Sequence, residues 1–199
     1  EILDVLENTE LSMFNRVFIE DEDELTDSIA KLLVEGKVIG FFHGAFEWGP
    51  RALGNRSIIV DPRVDNMKDL LNQKIKKRES FRPFAPSVLR EKSHEWFEKD
   101  DDVPFMMKVF KIKDNKMGDI PAVTHVDGSG RLQTVFAESN PRYHALISQF
   151  QHLTGVPIVL NTSFNENEPV VCTPKEALDC FLRTKMDVVV LNDYFVYRK

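Results

Sequence analysis

The sequence predicts an α/β domain in which helices pack on a mixed sheet. Segments with helical periodicity alternate with short apolar runs that are typical of buried strands. A turn-rich stretch at residues 127–130 lies between two such runs, which predicts a hairpin and therefore an antiparallel pair in the sheet. With 199 residues and no internal repeat, the chain has the length of one domain with a sizeable core.

Four helices are predicted from apolar residues spaced three or four apart. An acidic run at residues 21–24 and a glycine at Gly36 bound the first, and Gly155 ends the third. Residues 173–176 read T-P-K-E, a capping box with proline at the first helical position, and begin the fourth. The residues of the four apolar stripes are Leu25, Ile29, Leu32 and Leu33; Met67, Leu70, Leu71 and Ile75; Leu146, Phe150 and Leu153; and Ala177, Leu178, Phe181 and Leu182.

Short apolar runs bounded by turn signals predict the strands. The loop at residues 44–54 is rich in glycine and proline and joins two of them. The predicted hairpin pairs residues 123–126 with residues 132–135. The other predicted strands lie at residues 38–43, 57–60, 85–89, 105–110, 157–160, 188–191 and 194–197.

The composition excludes several classes of protein. The net charge is −6, from 26 basic and 32 acidic residues, which argues against a broad nucleic-acid surface. Neither the P-loop pattern nor the dinucleotide-binding glycine pattern occurs, so a nucleotide would have to be held by other groups. No apolar run has the length of a membrane span, and Cys172 and Cys180 do not have the spacing of a disulfide framework. The sequence therefore predicts a soluble cytoplasmic protein.

Three segments carry side chains that bind anions. The loop at residues 49–57 contains Arg51 and Arg56, whose guanidinium groups can hold an oxyanion with two hydrogen bonds each. A K-x-R pair follows at Lys76 and Arg78, and residues i and i+2 of an extended segment face the same side. An S-x-N motif later in the chain repeats this spacing with uncharged donors.

Each of these segments taken alone has an ordinary structural interpretation. A single arginine in a loop is usually a surface cation, and Ser163 and Asn165 after a strand commonly hydrogen-bond their own backbone. Their common position in loops at strand ends favours a shared pocket, to which Arg82 adds a further positive charge. The sequence thus predicts a positively lined pocket for a small polyanionic substrate.

Two histidines lie near these segments. His43 ends a predicted strand beside the arginine-containing loop. His125 and Asp127 alternate along a predicted strand, so they can share a face and contact a ligand or a metal. A hydrogen-bonded histidine beside a turn-capping aspartate explains the same pair, and this interpretation ranks higher because no further His or Cys stands at metal-ligand spacing. No metal site is predicted.

Five motifs follow one another in a distinctive order. They read EWGPRALGNRS at 47–57, RESFRPFAP at 78–86, HVDG at 125–128, RLQTV at 131–135 and LNTSFN at 160–165. This pattern resembles the C-terminal domain of the nodulation-protein and antibiotic O-carbamoyltransferases over nearly the whole chain. That domain is similar to the YrdC-like fold of threonylcarbamoyl-adenylate synthases, which implies a twisted, mixed open sheet with flanking helices. The K-x-R and S-x-N signature of that fold falls on Lys76, Arg78, Ser163 and Asn165.

The resemblance implies a reaction in two domains. Carbamoyl phosphate and ATP, with Mg²⁺ on the triphosphate, would give carbamoyl adenylate in this domain. A separate N-terminal Kae1-like domain of the same polypeptide would carry a metal site and move the carbamoyl group to a hydroxyl acceptor, which the sequence does not name. Residues 1–22 would then be a linker or extension after that domain, and residues 23–199 the YrdC-like domain.

The resemblance also implies the site residues. Those assigned to catalysis are Lys76, Arg78, Arg51, Ser163 and Asn165. Those assigned to binding ATP or carbamoyl phosphate are Arg56, Arg82, His43, His125, Arg131, Asn161 and Thr162. The alternative is a non-catalytic module that binds a nucleotide and regulates the missing domain, while an RNA-binding module is disfavoured by the acidic charge.

Two positions depart from the family pattern. Ala45 stands where a basic residue is usual, which would remove one phosphate contact. Asn167 stands where glycine is usual, and glycine often marks a positive φ that asparagine tolerates only in part. Neither position belongs to the K-x-R or S-x-N motif.

Overall fold

The computed structural model describes residues 1–77, 79 and 82–199. Its strands are β1 Phe14–Phe18, β2 Ile39–Phe42, β3 Arg56–Val60, β4 Ala85–Leu89, β5 Phe110–Lys111, β6 Ser129–Gly130, β7 Gln133–Val135, β8 Ile158–Ser163, β9 Val188–Leu191 and β10 Tyr194–Arg198. Within these described residues, eight strands form one sheet in the order β1-β10-β9-β2-β3-β8-β4-β7, and β5 pairs with β6. The predicted α/β fold is therefore confirmed.

The large sheet is mixed and open, as predicted. Strand β2 runs parallel to β9 and antiparallel to β3, while β4 runs parallel to β7 and antiparallel to β8. Strands β1 and β7 form its two edges. Every residue of β2, β3, β4 and β9 is buried, so both faces of the central sheet are covered, and these strands read as continuous apolar runs for that reason.

Four of the six α-helices in the described residues correspond to the four predicted ones, whereas the short helices at residues 2–7 and 93–96 were not predicted. The six are α1 Ile2–Glu7, α2 Glu22–Val34, α3 Met67–Leu71, α4 Ser93–Trp96, α5 Pro141–Thr154 and α6 Pro174–Arg183. Asp21 caps α2 by accepting from the backbone of Glu24, and Thr173 and Glu176 form the predicted capping box of α6. Such caps stabilise a helix by about 1 kcal/mol each. The longest of these helices, α5, has 14 residues, and among the described helices none has the length and apolar character of a membrane span.

Two predicted strand assignments are wrong. Residues 105–109 do not form a strand, and only Phe110–Lys111 pair with Ser129–Gly130. The predicted hairpin is absent from the described residues because Pro121–Val123 form a 3₁₀ turn and Gln133–Val135 pair in parallel with β4. The turn at residues 127–130 does exist and is closed by a hydrogen bond from the backbone N–H of His125 to the carbonyl oxygen of Ser129 at 2.8 Å, but the strands that follow it pair with distant segments.

The first 22 residues contribute to the same sheet. Strand β1 pairs with β10 along its whole length, from Phe14 opposite Arg198 to Phe18 opposite Tyr194. Helix α1 contacts α6. This part of the segment predicted as a linker is therefore packed on the domain, while the boundary at residue 22 and a preceding domain remain predictions.

Candidate functional site

One carboxylate organises the loop between β2 and β3. Glu47 accepts hydrogen bonds from the backbone N–H groups of Leu53 and Asn55 at 2.7 Å each and of Arg56 at 3.1 Å. Burial raises the pKa of the Glu47 carboxyl group in spite of these donors. Hydrogen bonds to an ionised acceptor are roughly twice as strong as neutral ones. Glu47, which the sequence analysis missed, thus fixes the course of the loop that carries Arg51.

The side chains of Arg56 and His43 donate hydrogen bonds to backbone carbonyl oxygens of this loop. The Arg56 side chain is buried, donates to the carbonyl oxygens of His43 at 2.7 Å and Gly44 at 3.2 Å, and lies 3.7 Å from the ring centre of Phe42. The Nε2 of His43 lies 3.0 Å from the carbonyl oxygen of Gly54, to which it donates. Both predicted binding residues therefore support the loop, and neither lines the arginine cavity described below.

The burial of His43 predicts a measurable pH dependence of stability. Burial lowers its pKa to about 4 from the usual 6.5, with the nearby charge of Arg142 acting in the same direction. Between these values the unfolded chain binds the proton and the folded chain does not, so stability falls as the pH falls from 6.5 to 4, by about 3 kcal/mol in total. We expect His43→Gln to remove this part of the pH dependence.

Chemical denaturation of wild type and His43→Gln across pH 4–7 measures the effect. The opposite contribution of Glu47, whose pKa is raised, is present in both proteins and cancels in the difference between the two curves. A difference curve that is flat from pH 4 to 7 would show that His43 does not titrate in this way.

Three polar side chains on neighbouring strands form a buried network next to the loop. The Nε2 of Gln133 on β7 donates to the carbonyl oxygen of Leu53 at 2.7 Å, and its Oε1 accepts from the Oγ of Ser87 on β4 at 2.7 Å. The Nδ2 of Asn161 on β8 lies 3.1 Å from the carbonyl oxygen of Ala52, and 3.1 and 3.2 Å from the oxygens of the other two side chains. The network joins the loop to three strands through residues of which the sequence analysis named only Asn161.

A polar cavity of about 100 Å³ is lined by residues of the loop and by Asn161 of this network. Arg51 from the loop and Arg131 from the segment before β7 line it together with Asn161, Thr162 and Ser163 of β8. In the part of the chain that the structure describes, the Nε of each arginine is buried without a hydrogen-bond partner. The pKa of Arg131 is lowered by burial and by the charge of Arg51. Five predicted site residues thus meet in one place.

The lining residues that the structure describes give this cavity two cations and no anion. Among its described lining residues there is no carboxylate, and the remaining ones are prolines, alanines, Phe84 and Met106. Met106 has a positive φ of 54°, a strained conformation for a non-glycine residue that often occurs at functional sites. Two guanidinium groups with unused donors form a site that an oxyanion would complete.

Lys76 connects the K-x-R and S-x-N motifs. Lys76 is 3% exposed, and its ammonium group donates to the carbonyl oxygens of Ser163 at 2.5 Å and Asn165 at 2.8 Å, and to the Asn165 Oδ1 at 2.7 Å. The Ser163 Oγ also donates to that Oδ1 at 2.8 Å. Ser163, which is the last residue of β8, lines the cavity as well, so this cluster adjoins the arginines.

The extended geometry predicted for the K-x-R motif is wrong at its first two residues. Lys76 ends a π-helical turn, Asn72–Lys76, and Lys77 has a left-handed conformation with φ of 45°. The strand alternation invoked for the pair therefore does not apply at Lys76. Arg78 lies outside the described residues, and its assignment stays a prediction.

Two further predicted residues are not among those that line the cavity. Arg82 is 54% exposed and forms an ion pair with Glu79 at 2.9 Å. The Nδ1 of His125 lies 3.3 Å from the Oγ of Ser129, which donates to the Asp127 carboxylate at 2.6 Å. Burial lowers the pKa of His125. His125 and Asp127 therefore belong to a hydrogen-bonded turn.

The two departures from the family pattern lie in accessible loops. Ala45 is exposed, and its carbonyl oxygen accepts from the Nδ2 of Asn55 at 2.8 Å. Among the described non-glycine residues a positive φ occurs at Lys77, Met106 and Asn192, so Asn167 does not require the conformation that favours glycine.

A second, larger cavity of about 490 Å³ lies beside the first. Leu53 and Gln133 line it, whereas the preceding Ala52 and nearby Arg131 line the smaller one. Its apolar walls include Phe105, Val135 and Phe136. Its volume is in the usual range for small-molecule sites, and its walls combine apolar surface with a few polar groups.

Structural comparison defines the class of fold. The structure of full-length HypF in the phosphate- and nucleotide-bound form matches this chain with a TM-score of 0.58 and 21% sequence identity, covering 90% of this chain and 22% of HypF. The matched fold is YrdC-like, so the predicted YrdC-like fold is confirmed. A likeness at this level of identity concerns the fold alone.

Sequence comparison defines the family. Residues 30–198 match the family described as the carbamoyltransferase C-terminus, and the chain belongs to this family. Nodulation protein NolO of Bradyrhizobium diazoefficiens is 45% identical over 185 residues, which cover 91% of this chain and 34% of NolO. The 3′-hydroxymethylcephem-O-carbamoyltransferase of Amycolatopsis lactamdurans is 40% identical over 141 residues, covering 71% of this chain and 26% of that enzyme. The chain therefore spans about a third of the length of NolO and about a quarter of the length of the cephem carbamoyltransferase. Both relatives contain further sequence.

Proposed function

We propose that this domain binds carbamoyl phosphate and ATP and forms carbamoyl adenylate. A Kae1-like domain of the same polypeptide would then transfer the carbamoyl group to a hydroxyl acceptor. The observation that carries the proposal is the cavity lined by Arg51 and Arg131, where two buried Nε donors have no partner in the described chain. A bound phosphate would supply the acceptors and offset the repulsion between the two cations.

The family supports the chemical class of the substrate. The chain belongs to a family of carbamoyltransferases, and one relative is named as an enzyme that carbamoylates a hydroxymethylcephem. The reaction balances as carbamoyl phosphate, ATP and water giving carbamoyl adenylate, phosphate and pyrophosphate. Water releases phosphate from carbamoyl phosphate, a carbamate oxygen attacks the α-phosphorus of ATP, and pyrophosphate leaves.

The roles of the chain's own residues follow from their contacts. Arg51 and Arg131 hold the phosphate oxygens and screen the charge that develops there. Lys76 positions Ser163 and Asn165, which orient the carbamoyl end. Mg²⁺ bound with the nucleotide would neutralise the triphosphate. These positioning and electrostatic effects are the main sources of catalysis in phosphoryl and related transfers.

We place the nucleoside of ATP in the larger cavity. The volume of about 490 Å³ and the apolar walls suit a nucleoside, and the two cavities are lined by consecutive residues of the loop, Leu53 and Ala52. This arrangement would direct the triphosphate toward the arginines. Two cysteines without a disulfide fit the cytoplasm as the location of this chemistry.

Release of pyrophosphate by the purified chain tests the proposed function. ATP, Mg²⁺ and carbamoyl phosphate are supplied together, and each is omitted in turn. We expect release only when all three are present, with phosphate formed in equal amount. ATP binding without release that depends on carbamoyl phosphate would overturn catalysis by this domain and favour a regulatory nucleotide-binding module.

A further inference from the structure

Asn161 lines the arginine-lined cavity and has one unused hydrogen-bond acceptor. Its side chain is 1% exposed, and within the described residues its Oδ1 is buried without a partner. A buried acceptor that is left unpaired is costly, and such groups are rare in native proteins. The cavity therefore contains a second feature besides the two arginines that points to a ligand.

The surrounding network fixes which atom of the Asn161 amide is unused. The Nε2 of Gln133 is committed to the carbonyl oxygen of Leu53, so its Oε1 must face Ser87 and Asn161 as an acceptor. The Nδ2 of Asn161 consequently faces three acceptors, including the carbonyl oxygen of Ala52. A reversed amide would place oxygen against oxygen, so Oδ1 is the atom that remains for a ligand.

The pattern of donors and acceptors describes the ligand. Arg51 and Arg131 offer N–H donors only, which suits an oxyanion, whereas the Oδ1 of Asn161 accepts only. A ligand that completes the cavity must therefore carry an oxyanion and, a few bonds away, an N–H or O–H donor. Carbamoyl phosphate has both, because its amine is separated from the phosphate by one carbonyl carbon and one bridging oxygen.

We infer that Asn161 accepts a hydrogen bond from the carbamoyl amine and so selects carbamoyl phosphate over acyl phosphates of the same shape. This inference rests on the proposed function and adds the residue that determines its specificity. Acetyl phosphate places a methyl group where the amine would lie, which leaves the Oδ1 unpaired. A desolvated acceptor without a partner corresponds to a discrimination of roughly tenfold to hundredfold.

Titration calorimetry with two stable phosphonates tests the inference in the wild-type chain. Phosphonoacetamide and 2-oxopropylphosphonate both replace the bridging oxygen by a methylene group, and they differ only in an amine against a methyl group. We expect phosphonoacetamide to bind roughly tenfold to hundredfold more tightly. Equal affinities would overturn the inference and leave the proposed anion site intact, whereas no binding of inorganic phosphate or of either phosphonate would overturn the proposed function itself.

A variant links the preference to the residue. In Asn161→Ala the ratio of the two affinities should fall to about one, because the acceptor that distinguishes the amine from the methyl group is removed. Asn15→Ala on β1, at the opposite edge of the sheet, is the matched control and should keep the wild-type ratio. If Asn161→Ala keeps the wild-type preference for phosphonoacetamide, the role of Asn161 is overturned. If Asn161→Ala does not fold, the comparison of the two phosphonates in the wild-type chain still tests the inference.

Discussion

Arg131→Met is expected to weaken binding of phosphonoacetamide on the order of hundredfold without lowering the melting temperature. Methionine retains much of the apolar stem but removes a guanidinium group that would make charge-assisted hydrogen bonds to the phosphonate, each of which contributes about 1.5–3 kcal/mol. In the unliganded chain the same change removes a charge that burial and Arg51 disfavour. Function and stability should therefore respond in opposite directions, as is common for binding-site residues.

The matched control is Arg16→Met. Arg16 lies on β1, at the far edge of the sheet from β4 and β7, and donates to the carbonyl oxygen of Leu6 at 3.0 Å. Its replacement should leave phosphonate affinity unchanged in calorimetry and lower stability slightly in a thermal melt. If Arg131→Met bound normally, or lost stability together with affinity, Arg131 would be a structural residue and not part of an anion site.

Local signals predicted the helices well because the groups that define a helix lie close together in sequence. The side chain of Asp21 meets the backbone of Glu24 three residues later, and Gly155, with φ of 77°, ends α5 immediately after its last turn. The capping box at Thr173 and Glu176 works over the same short distance. No long-range information is needed for any of these features.

Strand pairing depends on long-range choices that local signals do not contain. The turn at residues 127–130 forms, since the Asp127 carboxylate accepts from the backbone and the hydroxyl of Ser129. Yet Ser129–Gly130 pair with Phe110–Lys111, nearly 20 residues earlier, and Gln133–Val135 pair with β4. A turn sequence predicts a change of direction, and the partner of each flank is decided by the rest of the sheet.

The candidate site shows the same difference between features set by local sequence and features set by long-range contacts. Motif order indicated Arg51, Arg131, Asn161, Thr162 and Ser163, and the structure gathers these in one cavity, although their binding role remains a proposal. The supporting residues were missed because their function depends on partners distant in sequence. Gln133 contacts Leu53, 80 residues away, and only the assembled sheet shows this contact. A carboxylate just before a Gly-Pro loop, such as Glu47, is the one local signal that could have been used.

Gly54→Ala is expected to have the largest effect on stability, about 3 kcal/mol or more. Gly54 ends the arginine-containing loop with φ of 118°, a conformation that is strained for any residue with a Cβ. The added Cβ would lie 2.7 Å from the Cγ of Tyr143, whose ring is fully buried between the loop and the core. Backbone strain and overpacking each cost about 1–3 kcal/mol, so the two together should be measurable by chemical denaturation.

Two other glycines separate the causes of this effect. Gly36 has a positive φ of 77° but open space around its Cβ position, so Gly36→Ala should cost about 1 kcal/mol from backbone strain alone. Gly118 is exposed, has no such φ and no neighbour within 4 Å, so Gly118→Ala should change stability by less than about 0.5 kcal/mol. If Gly54→Ala cost no more than Gly36→Ala, the loop would be able to move away from Tyr143. The position of Arg51 would then not be fixed by this packing, and the anion site would have to form when the ligand binds.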